Sequence, residues 1–427
     1  MLDYAAKHGA SACAAEASVG MGQGITVRRG EVETIEYNRD KGLAVTVYIG
    51  QRRGNASSSD FGRQALKDTV DKALTIARYT AEDTFSGLAD ADRLATNVPD
   101  LDLFHPWAQS VDAAIAMAAE CEAAALAVDD RISNSEGATV STQQSLFVHG
   151  NSLGFMGGYP TSRHYLSCSV IAGKEENMQR DDWYSISRDA RHIASPEAIG
   201  DYAARRALAR IGARKIKTCK VPVLFEAPLA ASLIGNFVHA ASGGSLYRKT
   251  SFLLDSLGQR VFSKKVQMSE RPHLRGGLAS SVFDSDGVAT KDREVVVDGV
   301  LQGYFLSAYT ARKLGLQTTG NAGGCHNLIV HPGKHDLRGL LKKMGRGLLV
   351  TELLGQGVNY VNGDYSRGAA GYWVEHGEIV HAVEEVTIAG NLRDMFRHVA
   401  AVGNDVLMRG SKQVGSLLIE QMKVAGN

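Results

Sequence analysis

Short stretches in which apolar and polar residues alternate open the chain. They are rich in β-branched residues and are interrupted by Arg29-Gly30 and by residues 40–42, which favour turns. The pattern therefore predicts an antiparallel meander. Its strands are expected at residues 25–28, 32–37 and 43–49.

Helical periodicity follows the meander, because Leu66, Val70, Leu74 and Ala77 recur once per turn. Asp60 precedes this stripe and is its candidate cap. The segment is therefore expected to form a helix that packs one apolar face on the sheet.

Two further helices are predicted in the first half. An alanine-rich helix covers residues 111–127, and Ser195-Pro196-Glu197 supplies a cap, a first-turn proline and an early acid for the next one. This last helix is expected to end near Gly212, which we take as a domain boundary. Strands are expected between residues 138 and 170, with turns at 149–151 and 157–158.

Glycine and β-type runs dominate from Lys220 onward. Asp298-Gly299 lies between two such runs and is a strong hairpin signal, and His376-Gly377 lies between two others. The predicted fold class is α+β. Residues 1–212 form an N-terminal α/β domain of antiparallel strands and packed helices, and residues 213–427 form a C-terminal β-rich domain with a few helices.

Composition fits an enzyme-sized protein of the cytoplasm. The 427 residues are 44% hydrophobic and 22% charged, with a net charge of +1. The balanced charge argues against nucleic acid as the main partner. Five scattered cysteines without CxxC spacing indicate free thiols in a reducing compartment. No secretory signal or membrane span is expected, so the interpretation is a soluble, cytoplasmic protein.

The most informative segment is residues 221–245, a strand followed by a helix. Apolar residues form one broad stripe of this helix, while Gly235, Asn236 and His239 face the other way. A helical zinc hydrolase site needs two histidines about a turn apart and a glutamate. This helix has one histidine and no glutamate, so His239 is interpreted as an ordinary hydrogen-bonding residue.

Other histidine groups are weaker candidates for a metal site. Cys325, His326, His331 and His335 are close in sequence, but the short β run between them directs His326 and His331 to opposite faces. A metal is therefore not expected there, nor at the hairpin turn that carries His376.

Two long blocks make the chain recognisable. They are SVFDSDGVATKDREVVVDGVLQGYFLSAYTARKLGLQTTGNAGG, at residues 281–324, and GDYSRGAAGYWVEHGEIVHAVEEVTIAGNLRDMF, at residues 363–396. The chain closely resembles the TldD/PmbA family, in its PmbA (TldE) branch, from about Gln23 onward. The resemblance implies a cytoplasmic protein that pairs with a TldD-like subunit. The resulting zinc protease acts on unfolded peptides, including peptide-antibiotic precursors and antitoxins.

The resemblance also implies that this subunit lacks zinc. The TldD branch carries HExxxH on the corresponding helix, and here Gly235, Asn236 and Ala240 replace its two histidines and glutamate, with His239 one residue off. No catalytic residue and no metal ligand is carried over to this chain. Zinc is expected in the partner subunit instead, and no cofactor is expected here.

A noncatalytic subunit of this kind is expected to help bind the peptide. Residues 321–324 and 366–369 are small and glycine-rich, so their backbone is a candidate for pairing with an extended peptide. Asn321, His326 and Arg367 are the candidate substrate contacts. The same glycines are equally well explained as turn residues.

Three hypotheses follow from the sequence. The favoured one is a noncatalytic, peptide-channel-forming subunit of a heteromeric zinc metalloprotease. The alternatives are a self-sufficient metallopeptidase and a peptide-binding homodimer without a protease role. The chain alone is expected to form homodimers through a large apolar interface.

Overall fold

Six strands in the first half of the chain form one antiparallel sheet. They are β1 (Ala12–Arg28), β2 (Glu31–Ile49), β3 (Arg52–Ser58), β4 (Ile132–Asn151), β5 (Met156–Ala172) and β6 (Gln179–Ser187). The computed structural model describes residues 1–426 and orders these strands β3-β2-β1-β4-β5-β6. The sheet is therefore continuous, with β3 and β6 at its edges.

The predicted meander is present, but its strands are longer than expected. β1 and β2 form one hairpin that turns at Arg29-Gly30, where both residues have positive φ. The turn expected at residues 40–42 is wrong, because β2 continues through it with Lys41 opposite Val19 of β1. Long-range pairing with β1 overrides the local preference for a turn.

The turns between β4 and β5 also differ from the prediction. The chain reverses at residues 152–155, so the turn expected at residues 149–151 is wrong because they lie inside β4, and Gly157-Gly158 lie inside β5. The turn expected at residues 157–158 is therefore wrong. A Cβ at Gly157 would lie 2.7 Å from a ring carbon of Phe283, so glycine is required there by packing against the second half.

Four helices accompany this sheet: α1 (Leu2–Lys7), α2 (Arg63–Tyr79), α3 (Val111–Leu126) and α4 (Pro196–Ala209). α3 and α4 cover one face of the sheet and share its buried apolar cluster. The cap of α4 is confirmed, because the Ser195 hydroxyl accepts a hydrogen bond from the Ala198 N–H. The cap predicted at Asp60 is wrong, since this carboxylate bonds the N–H of Gly62 just outside α2.

The second half contains two sheets. Their strands are β7 (Cys219–Phe225), β8 (Met268–Glu270), β9 (Arg293–Val297), β10 (Val300–Leu301), β11 (Leu328–Val330), β12 (Gly347–Leu354), β13 (Asp364–Glu375), β14 (Glu378–Asn391), β15 (Val399–Val402), β16 (Lys412–Gln413) and β17 (Leu417–Ala425). One sheet has the order β14-β13-β12-β7-β17-β15 and the other β10-β9-β8-β11-β16. The largest buried apolar cluster lies within this half.

The helices of the second half are α5 (Ala227–Ala240), α6 (Gly243–Tyr247), α7 (Ala308–Leu314), α8 (Leu337–Met344) and α9 (Leu392–Arg397). Both predicted hairpin turns are confirmed. Asp298-Gly299 joins β9 to β10 and His376-Gly377 joins β13 to β14, with positive φ at all four residues. The α+β fold class is thereby confirmed.

Charged side chains join the two halves. The Arg206 guanidinium on α4 lies 3.0 Å from the Asp181 carboxylate on β6 and 2.8 Å from the Glu226 carboxylate, which directly precedes α5. Because these groups are largely buried, removing one partner would leave a buried charge unpaired. The contact fixes the start of α5 relative to the first sheet.

The outer edge of β6 is covered by arginines. Arg210 donates to the Arg180 carbonyl at 3.0 Å, and Arg409 donates to the Tyr184 carbonyl at 2.6 Å. The Arg409 guanidinium also lies 3.8 Å from the centre of the Trp183 ring. These contacts occupy carbonyls that an edge strand otherwise leaves open to pairing with another chain.

The position of the domain boundary stays a prediction. Every strand of the first sheet precedes Gly212 and those of the other two sheets follow it. Among residues 1–426, no helix combines the length and the apolarity that crossing a membrane requires.

Candidate functional site

Helix α5 lies against the middle of the larger sheet of the second half. β7 precedes it and pairs with β12 on one side and β17 on the other, and Pro228 lies in its first turn. Leu233, Ile234 and Phe237 are buried beneath the helix, as the apolar stripe predicts. The helix is thus held by its apolar face.

The helix ends earlier than predicted. α5 stops at Ala240, and Gly243-Gly244 begin α6 instead of ending α5. The Gly243 N–H donates to the Phe305 carbonyl at 2.9 Å, and a Cβ there would overlap the Thr310 side chain. Close packing against α7 therefore explains the glycine at position 243.

The four positions of the degenerate motif have different environments. Asn236 is 9% exposed, and its side-chain oxygen accepts a hydrogen bond of 2.9 Å from the Tyr360 hydroxyl. His239 is exposed, with its ring 4.0 Å from that of Tyr360. Ala240 is fully buried in the apolar cluster, and Gly235 has no side chain to offer.

Basic groups surround this face of α5. A Cβ at Gly235 would lie 3.7 Å from the Cε atom of Lys412, so the lysine side chain runs beside the helix. Partial desolvation of the His239 ring lowers its pKa, and the nearby Arg248 guanidinium lowers it further. The site therefore opposes additional positive charge.

These residues do not fit a zinc ion. A single imidazole is present where two and a carboxylate are needed, and cationic side chains lie nearby. Across residues 1–426, no three or more His, Cys, Asp or Glu side chains are grouped to hold a metal. The polar face of α5 therefore offers no set of zinc ligands.

The histidines near Cys325 are separated by their hydrogen bonds. The Nε2 atom of His326 lies 3.0 Å from the Gly320 carbonyl oxygen, while Nε2 of His331 lies 2.9 Å from the Ser269 hydroxyl. His335 pairs with Gly403 in an isolated bridge. Each histidine therefore belongs to a different local contact.

Asn321 and His326, both predicted substrate contacts, meet at a residue that sequence reasoning missed. The Glu270 carboxylate is 2% exposed and accepts hydrogen bonds from the Asn321 amide at 2.8 Å and the His326 N–H at 2.6 Å. The Arg293 guanidinium lies 2.7 Å from Glu270 and also donates to Asn321. Nothing local in the sequence links Glu270 to these partners, because they are 51 and 56 positions away.

Arg367 lies in a different environment, on β13. Gly368 and Ala369, which follow it, pair with β12 on one side and β14 on the other. The expectation that residues 366–369 offer free backbone to a peptide is therefore wrong at Gly368 and Ala369. The Arg367 guanidinium instead approaches Tyr365, whose pKa burial raises to about 12 while the arginine opposes the shift. A role of these three residues in substrate binding stays a prediction.

A large cleft lies away from the predicted residues. It has a volume of about 850 Å³ and runs along the edge of β6, between the first half and the segment that contains Arg409. His105 is on its wall, with Nε2 3.2 Å from the Asp102 carboxylate and Nδ1 3.6 Å from that of Asp189. Sequence reasoning did not single out this cleft, because its walls come from distant segments.

Comparison with known families agrees with the blocks described above. Models of the PmbA/TldA metallopeptidase domains match residues 20–77 (domain 1), 104–211 (central domain) and 218–426 (C-terminal domain). The chain belongs to the PmbA/TldD metallopeptidase family. It is 49% identical to the metalloprotease PmbA of Escherichia coli O157:H7 over 96% of this chain and 92% of that protein, which supports the PmbA branch.

Solved structures share the fold. A proposed modulator of DNA gyrase from Bacteroides thetaiotaomicron superposes with a TM-score of 0.95 at 28% identity, covering 100% of this chain and 97% of that one. TldE from Thermococcus kodakarensis gives a TM-score of 0.83 at 18% identity, covering 100% and 99%. The architecture of this family member is therefore shared over its whole described length.

Proposed function

We propose that this chain is a noncatalytic subunit that binds unfolded peptides for a zinc-bearing TldD-like partner. The observation that carries the proposal is the polar face of α5. Asn236 is committed to Tyr360, Ala240 is part of the core, and Gly235 faces the Lys412 side chain. A catalytic metal would then have to be supplied in trans.

Division of labour gives such a subunit a physical role. Metal-bound hydroxide attacks efficiently only when the scissile bond is held in position, and a second chain can supply the walls that hold it. The existence of TldD-like and TldE relatives supports the pairing. Peptide-antibiotic precursors and antitoxins are the substrate classes that the resemblance implies.

A reconstitution assay tests this proposal. The purified chain, a TldD-like subunit with intact HExxxH, and their mixture are each incubated with an unfolded peptide. We expect cleavage by the mixture alone, and we expect a chelator to abolish it. A partner whose motif glutamate is replaced by glutamine is the control, and its mixture should be inactive.

Two results would contradict the proposal. One is strong chelator-sensitive cleavage by this chain alone, with the partner excluded by mass spectrometry. The other is full activity of the partner without this chain. Elemental analysis after mild dialysis adds an independent test, since the isolated chain is expected to hold no stoichiometric zinc.

The isolated chain is also expected to dimerise. If the surface that receives the partner is apolar, two copies should use it less well, at micromolar concentration. Light scattering that shows only monomer at micromolar concentration would count against this expectation.

A further inference from the structure

A second cavity, of about 310 Å³, lies between the two halves. β1 and β4 of the first sheet form one wall, and two loops of the second half form the other. Its volume is at the lower end of the range of small-ligand pockets, about 300–1,000 Å³. The charged, imidazole and aromatic residues that line it are Glu16, Phe147, His149, Phe283, Asp284 and His326.

His149 is the first sign that this cavity receives a ligand. The side chain is 7% exposed, yet neither ring nitrogen has a hydrogen-bond partner within residues 1–426. Burial lowers the pKa of His149, so the ring is neutral and offers one donor and one acceptor. Buried polar groups are nearly always paired, so the acceptor nitrogen of this ring calls for a donor.

Asp284 is the second sign. Its carboxylate is 3% exposed and accepts hydrogen bonds from the backbone N–H groups of Ala322 at 2.9 Å, Asp286 at 2.9 Å and Val288 at 3.0 Å. No lysine or arginine lines the cavity within residues 1–426. Burial, with a smaller effect of Asp286, raises its pKa to about 7.

The charge of the lining selects the ligand. Glu16 is exposed at the cavity and lies opposite His149 in the β1–β4 pairing, so it adds a second carboxylate. Phe147 and Phe283 supply aromatic faces, their ring centres 5.8 Å apart. Carboxylates, an imidazole acceptor and aromatic rings together suit an organic cation with an apolar stem.

We propose that this cavity binds an alkylammonium group, held by Asp284, His149 and Glu16 with its alkyl stem against Phe147 and Phe283. An ammonium has three donors and no acceptor, which matches the carboxylates of Asp284 and Glu16 and the acceptor nitrogen of His149. The group comes either from a free primary amine or from the lysine side chain of a peptide. The inference does not rest on the proposed subunit role, because it concerns the isolated chain.

Nuclear magnetic resonance of the full chain with labelled histidines tests it. The His149 signal, assigned by its loss in His149→Gln, is followed during titration with n-butylammonium and with Nα-acetyl-lysine N-methylamide. n-Butanol and Nα-acetyl-norleucine N-methylamide are the neutral counterparts. We expect a saturable shift with an ammonium compound and none with the neutral ones. Equal affinity of both ammonium compounds assigns a free amine, and binding of the lysine compound alone assigns a peptide side chain.

Variants sharpen the test. Glu16→Gln, on an exposed strand position, is expected to weaken binding at least fivefold, whereas Glu36→Gln, equally exposed on β2 but outside the cavity, leaves it unchanged. Asp284→Asn should abolish binding, and Glu16→Gln decides if that variant does not fold. The proposal is overturned if no ammonium compound shifts the signal, if neutral compounds bind equally, if Glu16→Gln binds as the native chain does, or if an amine-soaked crystal shows only water at both nitrogens.

Discussion

The polar face of α5 and the cluster around Glu270 contain similar types of residue, but these residues have different roles in the two regions. Around Glu270, this acid and the Asn321 amide are buried, and both are bonded to the partly buried Arg293 guanidinium. On α5, Asn236 accepts a hydrogen bond from Tyr360, while His239 is exposed near Arg248. Polar residues in glycine-rich segments can therefore hold a fold together in one place and leave a surface open in another.

The largest stability effect is expected at Arg293. Arg293→Met removes the partner of the buried Glu270 carboxylate and should lower the free energy of unfolding by about 3–5 kcal/mol. Arg205→Met on α4 is the matched control, because its pair with Asp201 is exposed and should contribute only about 0–1 kcal/mol. Urea unfolding measures both, and equal losses would contradict a larger contribution of the buried Arg293–Glu270 pair.

Restoring the HExxxH motif on α5 is not expected to give the isolated chain zinc-dependent activity. In Gly235→His, Asn236→Glu, Ala240→His, the last change places an imidazole in a fully buried position and should itself lower the free energy of unfolding by about 1–3 kcal/mol. Ser232→His, exposed on the same helix, is the stability control. We expect no chelator-sensitive cleavage by the triple variant alone, and its appearance would show that the helix geometry suffices.

A smaller loss is expected at Tyr360. Tyr360→Phe leaves the buried Asn236 oxygen without its donor and should lower the free energy of unfolding by about 1 kcal/mol. Tyr79→Phe, at a side chain 87% exposed, should change it little. If the two losses match, the hydrogen bond to Asn236 does not stabilise the helix.

The smallest effect concerns pH. Because the pKa of His239 is lowered by burial and then by Arg248, the unfolded chain binds this proton more readily than the folded one. Stability is then lost as pH falls below the unfolded pKa of about 6.5. His239→Gln should flatten the decline of unfolding free energy between pH 7 and 5. Arg248→Met should flatten it less, and an unchanged slope in both variants would exclude this contribution.

Local signals predicted much of the fold correctly. Ser195 and Pro196 start α4 through their own backbone chemistry, and Asp298-Gly299 turns a hairpin because both residues adopt positive φ. These features need no information from elsewhere in the chain. That independence explains why the sequence alone sufficed for them.

Features set by distant partners could not be predicted in this way. Gly157 resembles a turn residue, but glycine is required there because the Phe283 ring leaves no room for a Cβ atom. Asn321 resembles a surface residue near glycines, yet its side chain is buried and hydrogen-bonded to Glu270 and Arg293. The loss of the zinc motif on α5 could be recognised from the sequence, because missing ligand atoms can be identified without a structure. The hydrogen bond from Tyr360 to Asn236 could not be predicted from the sequence.

The stacking of Arg409 on Trp183 provides an optical reporter. The indole belongs to the first sheet, and the guanidinium against it comes from a segment more than 200 positions later, so their contact persists only while the two halves stay docked. The fluorescence of Trp183 should therefore distinguish separation of the two halves from unfolding of one half. With Trp107 and Trp373 replaced by phenylalanine, fluorescence followed during denaturation would show whether the two halves separate before they unfold.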